Sequence, residues 1–133
     1  MTKVILVFIS LITYSVFAGN EKENKVNDSA IESLLEGINS DNFGLKTSSA
    51  YMLGELKCEK AVIPLMRMLK SEDKESARIV AALALLKIGN EKGIFAIKQA
   101  TRFDASNRVR KLCSNFYNAY LQKSSAVDLL AIR

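Results

Sequence analysis

The amino-acid pattern of this chain returns on itself every 32 residues, and this period restricts the fold more than any other feature. Leu45-Lys46 is followed at that distance by Ala77-Arg78, and then by Val109-Arg110. Ser49-Ala50 becomes Ala81-Ala82 and then Cys113-Ser114. Leu53 becomes Leu85 and Tyr117, and Leu56 becomes Ile88 and Tyr120. The stretches between keep step: Glu59-Lys60 matches Glu91-Lys92, Ile63 matches Phe95, Leu65 matches Ile97, and Asp41 matches Asp73. The register runs from Asp41 to Tyr120 without a gap. A unit this short holds two helices and a turn but no core of its own, so it must bury its apolar face against the next unit. About three such units are the fewest that can share a core.

Apolar spacing within each unit is helical. Ile31, Leu34, Leu35 and Ile38 recur at three, four and seven residues, after a capping Asp28 or Ser29. A second helix is expected from about Gly44 to Lys57, with Leu45, Ala50, Met52, Leu53 and Leu56 on its apolar face. A third is expected near Val62 to Lys70, where Pro64 falls in the first turn and its missing N–H does little harm. The central helix, about Lys74 to Ile88, carries Ala81, Ala82 and Ala84, which let neighbouring helices approach closely, and Gly89 stops it. Helices near Ile94 to Arg102 and Asn107 to Lys123 follow. Residues 124–133 are a tail or a short capping helix with Val127, Leu129, Leu130 and Ile132. The composition agrees with an all-α fold: helix formers dominate and there is one proline.

The unit reads as an apolar residue, a basic residue, two spacers, two small residues, then leucine and a closing isoleucine-glycine. Ala77-Arg78-Ile79-Val80-Ala81-Ala82-Leu83-Ala84-Leu85-Leu86-Lys87-Ile88-Gly89 is its fullest copy. This pattern resembles the HEAT repeat, and most closely the short HEAT-like variety of the phycobilisome lyases. The resemblance covers roughly Ser29 to Leu121 and implies a right-handed α-α superhelix, a solenoid of about three two-helix repeats. The repeats would be about 28–58, 59–90 and 91–123, within a domain 28–123. The outer copies depart from the pattern, with Lys46 and Ser49 in the first and Phe116 and Tyr117 in the third. These departures suit end caps, whose outer faces no neighbour covers.

Ahead of the repeats, Val4 to Ala18 is 15 residues without a charge, after Lys3 and before the charged stretch from Asn20 to Lys25. Val16 and Ala18 sit at −3 and −1 of a cut before Gly19. This is the layout of a signal peptide, residues 1–18, with 19–27 as a polar leader. The alternatives are a membrane anchor, which usually needs about 20 apolar residues, and a buried core segment. The expected location is the bacterial periplasm or the exterior, with no stable membrane anchor after cleavage. Cys58 and Cys113 would then meet an oxidising compartment. The register opposes a disulfide, because it puts Cys58 in a loop and Cys113 on a packed face two units away.

Charge is uneven. Gly19 to Lys60 holds five basic and eight acidic residues, and Ala61 to Arg133 holds thirteen basic and six acidic. Such polarity can steer an acidic partner, or simply solvate helix faces. With no histidine, the commonest general base and metal ligand is missing. No phosphate-binding glycine loop occurs, and no cofactor or catalytic residue is expected. Arg102, Arg108, Arg110 and Lys111 form a basic cluster, but the nearby Tyr117 and Tyr120 fall on the inner face. No nucleic-acid partner is expected. Asp41, Asp73, Lys46, Arg78 and Arg110 recur at matching points and read as a charge ladder between repeats, with a ligand role for Arg78 as the alternative. Tyr51, Met52, Ile79, Val80, Leu83, Leu86 and Lys87 read as a partner-binding surface, or as core if neighbouring helices bury them. The expected function is an exported, non-catalytic protein-binding scaffold whose partner is another protein. The alternative is a small-ligand-binding or lyase-like accessory subunit using the concave groove.

Overall fold

A computed structural model of the chain describes residues 27–132. The expected signal peptide, and all of the leader except the helical Asn27, lie outside the described residues. The chain separates into two compact units, Met1–Ser33 and Leu34–Arg133. In the first, the described residues 27–33 are helical. The second unit carries the repeats.

Every described element is a helix. After α1 (27–38) come α2 (Phe43–Glu55), a 3-10 turn (Glu59–Ala61), α3 (Val62–Ser71), α4 (Glu75–Ile88), α5 (Glu91–Phe103) and α6 (Asn107–Ala131). α2, α5 and α6 start at side-chain caps. The side-chain oxygens of Asn42, Asn90 and Ser106 accept from the backbone N–H groups of Leu45, Lys92 and Val109. α2 and α4 end at one recurring position. Lys57 (φ 50°) and Gly89 (φ 73°) are left-handed and close α2 and α4. After α2 the N–H of Lys57 reaches the carbonyl of Gly54, and the N–H of Cys58 reaches that of Leu53. That double closure folds Cys58 back onto the core, so it is buried and not exposed in a loop. Cys58 and Cys113 are both free thiols.

α3 and α5 lie side by side in one layer, and α2, α4 and α6 in a second. The central α4 touches α2, α3, α5 and α6. Ala77, Ala81 and Ala82 on it are fully buried, as is Leu85. Contact with α2 is so close that a Cβ on Gly54 would lie 2.7 Å from the Cα of Ala84. The apolar positions of the period are not all core. Leu45, Met52, Leu56, Ile63 and Phe95 are exposed.

The basic residues of the period tie successive repeats together. Arg78 and Asp104 are nearly buried, with side chains 10% and 6% exposed. Arg78 Nε donates to Asp104 Oδ2 at 2.8 Å and Nη2 donates to Oδ1 at 2.9 Å. Its Nη1 donates to the carbonyls of Glu72 and Asp73, in the turn before its own helix. One period on, Arg110 Nη1 donates to the carbonyls of Asp104 and Ala105. One period back, Lys46 Nζ meets Glu72 Oε1 at 2.6 Å. The acids of the ladder are therefore Glu72 and Asp104, not Asp41 and Asp73; Asp73 contributes its carbonyl. Burial favours a neutral Asp104, but hydrogen bonds from Arg78 and the Ser106 N–H, with the charges of Arg78 and Arg110, outweigh it and hold the carboxyl below its ordinary value. The hydrogen bond to Asp104 raises the Arg78 pKa against the opposing effect of burial.

Two predictions concern this packing. Asp104→Asn leaves the Arg78 charge buried without its counter-ion, and is expected to lower stability by about 3–5 kcal/mol at neutral pH in urea unfolding. Because the folded carboxyl ionises below its unfolded value, its contribution is complete above about pH 4 and is lost as pH falls through the folded value. The gap between wild type and Asp104→Asn should narrow over that acid range. Gly54→Ala gains about 1 kcal/mol of helix propensity but forces backbone apart at a cost of about 1–3 kcal/mol. Its urea midpoint is expected to fall.

Candidate functional site

The second layer exposes a cluster built on the same period. Glu55 on α2 and Lys87 on α4 occupy equivalent positions and carry opposite charges, and Lys87 Nζ pairs with Glu55 Oε1. The same ammonium lies 5.2 Å from the ring centroid of Tyr51, one helical turn before Glu55. Hydrogen bonds from Lys87 and Tyr51 hold the Glu55 carboxyl below its ordinary value. The bond to Glu55 in turn raises the pKa of Lys87 and of Tyr51. At neutral pH the cluster is a carboxylate, an ammonium and a neutral phenol. Tyr51 and Met52 are each 45% exposed.

Beside this cluster is an open cleft of about 640 Å³ between the ends of α2 and α4 and the middle of α6. Glu55, Lys57, Leu86 and Lys87 line one side, and Tyr120 and Lys123 the other. The cleft extends along α6 to Val127 and Asp128. It can hold an extended or helical segment by mixed apolar and charged contacts.

The structure brings together only part of the surface expected from sequence. Leu86 and Lys87 line the cleft, and Tyr51 joins them through Lys87. Met52 is exposed on the same helix. Ile79, Val80 and Leu83 are half-buried and do not line the cleft, because neighbouring helices close around α4. Arg78 is engaged with Asp104 and does not meet Tyr51 in a pocket. In the basic cluster, Arg102, Arg108 and Lys111 are exposed, whereas Arg110 closes the turn before its helix. Sequence reasoning places Ala119 of α6 beside this surface, and the structure adds the cleft-lining Tyr120, Lys123, Val127 and Asp128. The opposite charges at equivalent positions 55 and 87 are the signal in the sequence that could have located the cluster's centre.

Among the described residues no group of three His, Cys, Asp or Glu side chains is placed to hold a metal. The Cys113 thiol is pushed up to about 11, chiefly by burial, so it is not a thiolate at neutral pH. No described helix is long and apolar enough to cross a membrane.

Comparison with known proteins agrees with the two-helix units. No curated protein matches the chain. A family model for HEAT repeats matches residues 31–114, which is more than half of the chain. With its paired helices, 32-residue period and inter-repeat ladder, the chain belongs to the HEAT-repeat family.

Proposed function

We propose that this protein is an exported, non-catalytic protein-protein interaction module, built as a right-handed superhelical scaffold that holds another protein against its second helices. HEAT repeats generally mediate protein-protein interaction, and that supports the class of function. The observation that carries the reading is the Tyr51–Glu55–Lys87 cluster at the mouth of the α2–α4–α6 cleft. Its aromatic ring is held in place by charge and still half exposed, and an ordered aromatic of this kind anchors a partner at little entropic cost. Binding would need shape and surface complementarity and no covalent step, cofactor or nucleic acid. Export rests on the uncharged stretch Val4 to Ala18 and the small residue before Gly19.

Two measurements test this. Amino-terminal sequencing of the native protein should begin at Gly19, and a start at Met1 would remove the argument for export. Tyr51→Ala/Met52→Glu changes two exposed side chains and should leave the melting temperature nearly unchanged. It is expected to recover partner from the exported fraction roughly tenfold less well than wild type, the loss of a single hot spot. Equal recovery by both proteins would exclude the cluster as the binding surface.

A further inference from the structure

A second exposed apolar surface of the repeat layers lies between α3 and α5. A groove of about 760 Å³ runs between these helices. Ile63, Met66, Arg67 and Lys70 flank it from α3, and Phe95 and Phe103 from α5. Ile63, Phe95 and Phe103 are 53%, 59% and 75% exposed. Ile63 and Phe95 are equivalent in the period, so this surface repeats as the fold does. Ala96 and Ala100 lie between the phenylalanines and leave room where larger side chains would fill the groove. The two phenylalanines are eight residues apart on one helix, about 12 Å along its axis. That matches apolar side chains spaced two turns apart on a helix laid in the groove.

The charge around the groove has one sign. Arg67 and Lys70 make no ion pair among the described residues. The one acid in the lining, Asp104, has both carboxylate oxygens engaged by Arg78. Accessible charge at the rim is therefore positive beside an apolar floor. We infer that the α3–α5 groove is a second docking site, for an amphipathic helix whose apolar face is flanked by acidic residues. The apolar face fills the space over Ala96 and Ala100 between Phe95 and Phe103, and the acids meet Arg67 and Lys70. This site shares no lining residue with the cleft, so the two readings fail separately.

The test uses the purified chain and two synthetic helical peptides. Both carry leucine at i, i+4 and i+8; one has glutamate and the other lysine at the flanking positions. Fluorescence anisotropy should show the glutamate peptide binding at least tenfold tighter than the lysine peptide. Phe95→Ser/Phe103→Ser changes two exposed side chains and should weaken that binding at least tenfold with an unchanged melting temperature. Arg67→Glu/Lys70→Glu should reverse the preference between the peptides, and Tyr51→Ala/Met52→Glu should leave it alone. Sedimentation equilibrium should show no dimer that the Phe95→Ser/Phe103→Ser variant abolishes. Equal affinity for both peptides, no binding of either, or binding unaffected by the phenylalanine changes would overturn the proposal. So would a dimer dissociated by those changes, since a second copy would then be the occupant.

Discussion

The guanidinium of Arg78 joins the start of α4 and the turn before it to the turn between α5 and α6, 26 residues further along the chain. The carbonyls of Glu72 and Asp73 accept from one of its nitrogens, and without Arg78 the buried Asp104 would lose the cation it pairs with. One planar fork of donors satisfies both, which an ammonium cannot do in the same geometry. The same logic explains the gradient along the ladder. The better-covered rung uses arginine with two parallel bonds, and the outer rung, Lys46 with Glu72, uses a single contact between more exposed side chains. A buried ion pair adds little net stability over a packed apolar pair, but it strongly penalises a slip. Here a one-residue slip between repeats would strand both charges, so the pair fixes the register in which the alanines of α4 meet their neighbours.

The repeat architecture was legible because the period, the small residues and the stop signals all lie in the local sequence. The ladder was legible only in its basic half. Two acidic candidates, one residue apart, fit the 32-residue spacing: Asp41 with Asp73, and Glu72 with Asp104. Which of them faces the next repeat depends on the turn's path, which the spacing does not contain. Ser40 occupies the place of Glu72 and Asp104 in the first repeat, and its hydroxyl accepts from the Asn42 N–H as Asp104 accepts from Ser106. A neutral hydroxyl suffices for that hydrogen bond. The candidate surface was legible in part for a related reason. Leu86 and Lys87 sit at the end of α4, where the layers open, whereas Ile79, Val80 and Leu83 lie where helices close around it. Periodicity assigns a face to a residue but does not say how far the neighbouring helix extends.

The length of α6 shows how one missing stop signal reshapes a site. Lys57 and Gly89 occupy the same position of the period, and both turn left-handed to end their helices. The third position is Leu121, followed by Gln122 where the second repeat has Asn90. Leucine strongly disfavours the left-handed conformation, glutamine is a poor cap, and nothing interrupts the backbone ladder. The helix therefore runs on to Ala131, and residues 124–131 continue it instead of forming a separate short helix. That continuation carries Lys123, Val127 and Asp128 past the ends of α2 and α4 and supplies one wall of the cleft. Lys57, whose side chain also lines the cleft, accepts left-handed strain that a glycine would avoid. Of the two unusual residues at this position of the period, Lys57 follows the end of α2 and Leu121 lies inside α6, where the helix passes the point at which α2 and α4 stop. The cleft exists because the third repeat breaks the rule the first two obey, whereas the groove between α3 and α5 follows the period, with Ile63 and Phe95 at equivalent positions.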